Sequence, residues 1–379
     1  MKLEGLRVVD LSSFLPGPYL TLTLADHGAE VIKVEAPGEG DPGRGIGLAD
    51  GEASVFFRTM NRGKKSVVLD LKSEFGRKAL YALSRSADVF VESFRPGVVE
   101  RLGADYATLS TLNPRLVYCS ISAFGQSGPY RERPAHDLAV EALTGSIGMT
   151  LGEDGAPAVP ALAAADMLAS LQGLAAVMMA LYRREHTGRG DYIDMAMQDA
   201  ALGGIPNLMG PVFAERRAPI AKHERTTGGA AFYRVYETRD GRHIVLGGQE
   251  MKFVRNLLGA LGRLDLAPLA ERGPGLHQQP LVDYLVGVFR ERSRDDWVAW
   301  FRDRDICFAP VNDLREAVDD PQARWRGMIL VDGEGREHLG PVIKYRDEPP
   351  RPGLRAPRLG EHTETVLAEL PGLPPLRGG

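Results

Sequence analysis

Asp166 follows three small residues, Ala163-Ala164-Ala165, and heads the apolar stretch DMLASLQGLAAVMMALYRRE. An aspartate there can simply cap the helix, a role its type favours. It can equally serve as a base or a nucleophile, with first-turn amides and the positive helix end supporting a developing oxyanion. His136, in Pro134-Ala135-His136-Asp137-Leu138, stands where a proline-led turn begins another apolar segment. An imidazole at that position suits proton transfer near neutral pH, and Asp137 is placed to cap the helix or orient the ring. Glu250 follows Gly247-Gly248-Gln249 and opens the helical pattern MKFVRNLL, where a glutamate also reads as an ordinary first-turn residue. Basic residues beside glycine turns, Arg62 and Lys65 in NRGKKS, Arg95 in SFRPG, and Arg131 with Arg133 after GQSGP, are candidates for pairing phosphates of a nucleotide-like ligand. Each also reads as surface charge.

The elements that must position these residues follow from hydrophobic period. Leu6 to Leu11, a Pro/Gly turn, an amphipathic stretch from Tyr19 to His27 and Glu30 to Val34 form a strand, helix, strand unit. The pattern repeats through Ser66 to Leu69, Glu74 to Ser84, Asp88 to Val91 and Leu116 to Ile121. Continuous β-branched runs between helical patterns indicate parallel strands buried on both faces. The Asp166 helix runs to Glu185, with Gly188 as its terminating glycine, and Asp191 to Met197 reads as the next strand. Phe232 to Leu246 gives two alternating strands about Asp240-Gly241. The expectation is an α/β fold in three stretches: a large domain over 1–204, a smaller α+β domain over 205–330, and a return to the large domain over 331–379 through a last helix from Glu361 to Glu369.

Composition excludes several classes of function. With 44% hydrophobic and 25% charged residues the chain is globular, and at 379 residues it is long enough for two lobes. A net charge of −4 supplies no positive field to collect nucleic acid or an anionic membrane. The two cysteines, Cys119 and Cys307, lie far apart, which fits a reducing cytoplasm without disulfides. No signal-peptide core is visible, and no run is expected to reach the roughly 20 apolar residues of a membrane helix. The eight histidines show no HExxH spacing, so no metal is expected. Leu15-Pro16-Gly17-Pro18 stands where a GxGxxG loop would follow the first strand, which disfavours nicotinamide and flavin, and neither a P-loop nor a GxSxG elbow occurs.

A series of strings in fixed order carries a resemblance: LRVVDL (6–11), PGP (16–18), GAEVIKVE (28–35), NRGKKS (61–66), SFRPG (93–97), FGQSGP (124–129), AHD (135–137), the Asp166 helix, RREHTGRGD (183–191), GGAAFYRVY (228–236) and PRLGEHT (357–363). Together they cover nearly the whole chain, which resembles the family III CoA-transferases and their relatives, the alpha-methylacyl-CoA racemases. The resemblance implies a Rossmann-like large domain built from the N- and C-terminal parts, a small middle domain, and an interlocked homodimer. It also implies coenzyme A as part of an acyl-CoA thioester substrate, with Arg62, Lys65, Arg95 and Arg131 as its contacts.

The resemblance also implies two mechanisms. In transferases the aspartate matching Asp166 attacks the thioester carbonyl, and CoA passes to an incoming carboxylate through an acyl anhydride and an enzyme-CoA thioester. In racemases the residues matching His136 and Asp166 exchange the α-proton from opposite sides, and a glutamate matching Glu250, from the other subunit, supports the histidine. AlaHisAsp and the short Gly228-Gly229 pair resemble the racemase branch. Racemases usually carry a glycine run after the aspartate, however, and Met167-Leu168-Ala169-Ser170 stands there instead. The expected activity is racemisation of a 2-methylacyl-CoA or similar ester, with CoA transfer as the alternative.

Overall fold

The structure is a computed structural model that describes residues 1–51, 53–152, 154–371 and 373. Six strands form one parallel sheet: β1 (Arg7–Asp10), β2 (Glu30–Glu35), β3 (Lys65–Val68), β4 (Val89–Glu92), β5 (Val117–Ser122) and β6 (Tyr192–Ala196). Their order is β3-β2-β1-β4-β5-β6, a doubly wound arrangement that reverses between β1 and β4. The β-branched runs of the sequence are these strands. β4 and β5 are buried along their whole length, as parallel strands covered on both faces must be.

Two apolar layers sandwich the sheet. On one face α1 (Pro16–Asp26) and the 24-residue helix described below place Leu20, Leu24, Ala165, Ala169, Val177 and Leu181 against Val8, Val91, Val117, Cys119 and Ile121. On the other, Ala79, Leu80 and Leu83 pack with Val9, Phe90 and Tyr118, joined by Val366 and Leu367 from the C-terminal helix Thr363–Ala368. That helix is tied to the edge strand: Ser66 N–H donates to His362 Nδ1 at 3.2 Å and Val68 N–H to Thr363 Oγ1 at 3.0 Å. The return of the C-terminus to the first lobe is therefore a β3 contact.

The chain divides into two compact units, residues 1–144, 162–204 and 321–379 in the first, and 145–161 with 205–320 in the second. The sequence expectation put the inner boundaries at 204 and 330 and kept 145–161 in the large lobe. Among the described residues of 145–161 there are only a four-residue helix and an isolated bridge between Leu151 and Pro157, so these give no strand to the large sheet and leave no periodic signal. The second unit contains a three-stranded antiparallel sheet, β7 (Arg234–Glu237), β8 (His243–Leu246) and β9 (Phe308–Pro310), around a core that includes Tyr236, Phe289, Trp297 and Phe301. β7 and β8 make the hairpin expected about Asp240-Gly241, with Gly241 at φ 71°.

The helix Ala164–Thr187 has 24 residues and contains an 18-residue window of mean hydropathy 1.5, enough by length and composition to cross a membrane. Ser170, Gln172 and Arg183 keep any unbroken apolar run within it short. In the fold its buried face carries the sheet, and it ends on Gly188 in the left-handed conformation, φ 69°.

Candidate active site

A cavity of about 560 Å³ opens at the carboxyl ends of β1, β2, β4 and β5, beside the β1/β4 reversal. Open α/β sheets present their ligand crevice there, because the loops diverge to opposite faces. His136 and Asp166 both line it, as do Arg95, Arg131 and Arg133.

The loop after β1 forms one wall and is pinned by an unusual number of polar contacts. Asp10 is fully buried; its Oδ1 accepts the Ser12 N–H at 2.9 Å and its Oδ2 accepts the Thr21 hydroxyl at 2.6 Å and the Lys64 ammonium at 3.1 Å. Burial alone would raise this carboxyl, but Lys64 and Lys33, with the Ser12 and Thr21 hydroxyls, hold it down at about 2. Gly17 is required where it stands, since a Cβ there would sit 2.2 Å from the Ser12 side chain. The loop then holds Phe14 at φ 64°, a conformation that costs a non-glycine residue energy and persists only where its surroundings impose it. Ser13 N–H donates to Ser93 Oγ at 3.0 Å and Phe14 N–H to Asp41 Oδ1 at 3.4 Å. The result is an aromatic edge against His136, ring centroids 5.8 Å apart at 79°.

His136 precedes α2 (Asp137–Thr144), and its carbonyl accepts the Ala139 and Val140 N–H groups, which places it at the helix start as its sequence position indicates. Asp166 is the third residue of α3 (Ala164–Thr187). It is not the cap, because Ala163 holds that position without a side-chain bond. Capping comes from α2 instead: Glu141 Oε1 accepts the Ala164 N–H at 2.9 Å and Asp137 Oδ1 accepts the Asp166 N–H at 3.0 Å. The alternative in which Asp166 simply caps its own helix does not hold, and two of the first-turn amides considered for an oxyanion, those of Ala164 and Asp166, are engaged by Glu141 and Asp137. The Asp166 carboxylate accepts no hydrogen bond among the described residues. Burial first, then the charges of Asp137 and Glu141, push its carboxyl up to about 7. A carboxyl poised there exchanges protons in either direction at neutral pH.

Arg62 and Lys65 are not brought to this cavity. Arg62 is buried, with its guanidinium held in a two-point pair by Asp26 and donating to the Leu339 carbonyl at 3.0 Å. Lys65 begins β3 and pairs with Glu30, which begins β2. In a parallel sheet those starts lie at the end opposite the cavity. Neither lines this cavity, Lys65 because of strand direction and Arg62 because Asp26 holds it, while Arg95 and Arg131 lie on the cavity wall. Glu250 lies in the second unit, at the start of the helix Met251–Ala260, where it lines a separate cavity of about 410 Å³ with Arg225, Phe232 and Gln278.

Sequence reading missed four wall residues. Lys33 and Asp41 form a buried pair at 2.8 Å, and Phe14 carries no local signal for its backbone conformation. Ser122, 8% exposed at the end of β5, has a hydroxyl with no partner, a donor that a ligand oxygen would satisfy. Among the described residues no group of three or more His, Cys, Asp or Glu is arranged to hold a metal ion.

Residues 3–363 match the family model described as CoA-transferase family III. The chain is 34% identical to an acetyl-CoA:oxalate CoA-transferase of Acetobacter aceti, over 97% of this chain and 95% of that protein. It is 32% identical to the human alpha-methylacyl-CoA racemase, over 97% and 93%. The crystal structure of a CAIB/BAIF family protein from Brucella suis superposes with a TM-score of 0.83 at 32% identity, covering 97% of this chain and 98% of that one. The cavity at the strand ends, the whole-chain match and the fold agree, and the chain belongs to CoA-transferase family III.

Proposed function

We propose that the protein is an acyl-CoA racemase that moves the α-proton of a 2-methyl-branched or similar ester through an enolate, with Asp166 and His136 as the two proton-transfer groups. The observation that carries this reading is that both residues wall one cavity while the Asp166 carboxyl is held near neutrality. An α-proton next to a thioester leaves only if a base takes it as negative charge moves onto the carbonyl oxygen. The catalyst must then return a proton to the opposite face, so each group has to be stable in both protonation states. CoA enters as part of the substrate, with Arg95 and Arg131 pairing its phosphates. Removing either arginine raises KM for the acyl-CoA about tenfold while kcat changes little, as loss of uniform binding requires.

The working form is an interlocked homodimer in which Glu250 of one chain supports His136 of the other. Leu171, Met178, Met179 and Tyr182 on α3 are exposed apolar side chains, consistent with a covered face. Two free thiols, Cys119 and Cys307, fit a reducing cytoplasm.

Family III CoA transfer is the second reading, favoured by the oxalate transferase among the relatives and by the unbonded Asp166 carboxylate. There Asp166 displaces CoA thiolate to form an acyl anhydride, the thiolate attacks the Asp166 carbonyl to form an enzyme thioester and expel the first carboxylate, and a second carboxylate then takes the CoA through the same two steps in reverse. One experiment separates the two. In heavy water a panel of 2-methylacyl-CoA esters acquires deuterium at the α-carbon without added carboxylate. Turnover that needs acetate or oxalate as acceptor, traps hydroxylamine at Asp166 and leaves the α-carbon unlabelled sinks the racemase reading.

A further inference from the structure

We infer that Glu141 is a positioning residue for the chemistry at Asp166: its buried carboxylate fixes the first turn of α3 and sets negative charge beside the Asp166 side chain. The inference rests on the proton-transfer reading above and extends it to a residue outside the cavity wall.

Three observations carry it. Glu141 is 3% exposed, a rare state for a glutamate, and buried carboxylates stay in folds where they are held by donors. Its Oε1 accepts the Ala164 N–H, the first amide of the helix that carries Asp166, at 2.9 Å. It stands four residues after Asp137 on α2, so both acids share one helix face, and Asp137 takes the Asp166 N–H at 3.0 Å. Amides of a helix start ordinarily favour a nearby carboxylate. Two amides of this turn are instead engaged by other carboxylates, and Asp166 meets their repulsion.

The further titratable and charged groups around the site are identifiable. His136 precedes Asp137 on the same segment, Arg131 and Arg133 come from the loop before it, and Arg95 follows β4. Lys33 is paired to Asp41, and Glu35 to Arg44. The charges acting most strongly on Asp166 are nevertheless both negative, Asp137 and then Glu141. The sign follows. Removing the Glu141 charge favours the ionised form of Asp166, so its titration moves to lower pH.

Glu141→Gln keeps an oxygen to accept the Ala164 N–H and deletes the charge. Two readouts apply to the full-length variant. The first is the acidic limb of kcat/KM in the direction where Asp166 removes the proton. The second is the pH dependence of carbodiimide labelling at Asp166, located by mass spectrometry without substrate. Both are expected to shift down by about one pH unit, the scale of one lost neighbouring charge, with the melting temperature little changed. Glu141→Asp withdraws the charge on a shorter arm and shifts both part of the way, which decides the matter if the glutamine variant does not fold. A folded Glu141→Gln with an unmoved labelling profile, or an unmoved profile in Glu141→Asp where the glutamine variant fails to fold, overturns the inference. A shifted labelling profile without α-deuterium in the parent protein overturns the racemase reading and leaves the effect of Glu141 on Asp166 standing.

Discussion

Replacing Asp166 with alanine lowers kcat/KM for acyl-CoA turnover by about 10³- to 10⁴-fold, the upper part of the range for a positioned acid or base, roughly 4 to 5 kcal/mol of transition-state stabilisation. The loss is large because nothing near Asp166 can replace it. Asp137 and Glu141 are committed to the amides of the Ala164 turn, and His136 comes from a different segment. His136→Ala is the informative companion. Under proton transfer it is as damaging as Asp166→Ala, since each group is acid in one direction and base in the other. Under CoA transfer it costs far less, because the carboxylate alone makes the covalent bonds. Assaying both variants with one 2-methylacyl-CoA ester, following α-deuterium in parallel, separates these cases: a His136→Ala enzyme with near-parental turnover would eliminate the proton-transfer mechanism.

The second large effect is on stability. Lys64→Met is expected to destabilise the fold by about 3–5 kcal/mol, the cost of leaving one member of a buried ion pair without its partner. Lys64 and Asp10 are both fully buried, and the Lys64 ammonium also donates to the Pro18 carbonyl, Thr21 Oγ1 and Asn61 Oδ1 at 2.8 to 2.9 Å. Urea denaturation of Lys64→Met, of Asp10→Asn and of the double variant checks this, with the double variant recovering part of the loss. The pH dependence has a definite sign. Asp10 titrates at about 2 in the fold, below an unfolded aspartate near 3.9, so its stabilisation is present above that unfolded value and disappears as pH falls through about 2. Asp10→Asn lacks that acid-labile component; an unchanged acid limb in the variant would show that the network does not stabilise the fold through this charge. Because Asp10 also holds the Ser12 turn that leads to Phe14, weakening the network should blunt catalysis before it unfolds the chain.

Much of the architecture is written locally. The β-branched runs at β1, β2, β4 and β5 and the amphipathic stretches between them specify parallel strands with crossover helices, because a strand buried on both faces cannot alternate polar and apolar residues. The Asp240-Gly241 hairpin and the Gly188 helix end were legible for the same reason: a single backbone conformation, available cheaply to glycine, marks them. Asp166 and His136 were legible because each sits at the start of a helical pattern, where a polar side chain among small residues is conspicuous.

What the tertiary structure alone decided is which of the marked residues meet. The NRGKKS string offers three cations, and composition ranks them equally. Strand direction sends Lys65 to the far end of the sheet, Asp26 takes Arg62, and Asp10 takes Lys64. Phe14, Ser122, and Lys33 with Asp41 come from three separate stretches and share a wall only because β1, β2 and β5 end together. Glu141 looks from its sequence like any helical glutamate, and its place against the Asp166 turn depends on how two helices 20 residues apart in the chain come together. Local sequence determines the backbone conformation of a segment, through steric limits and apolar period. The electrostatic state of a side chain depends on charges and solvent exclusion contributed by segments distant in sequence, so the sequence marked Asp166 as a candidate, and packing beside Asp137 and Glu141 is what raises its carboxyl.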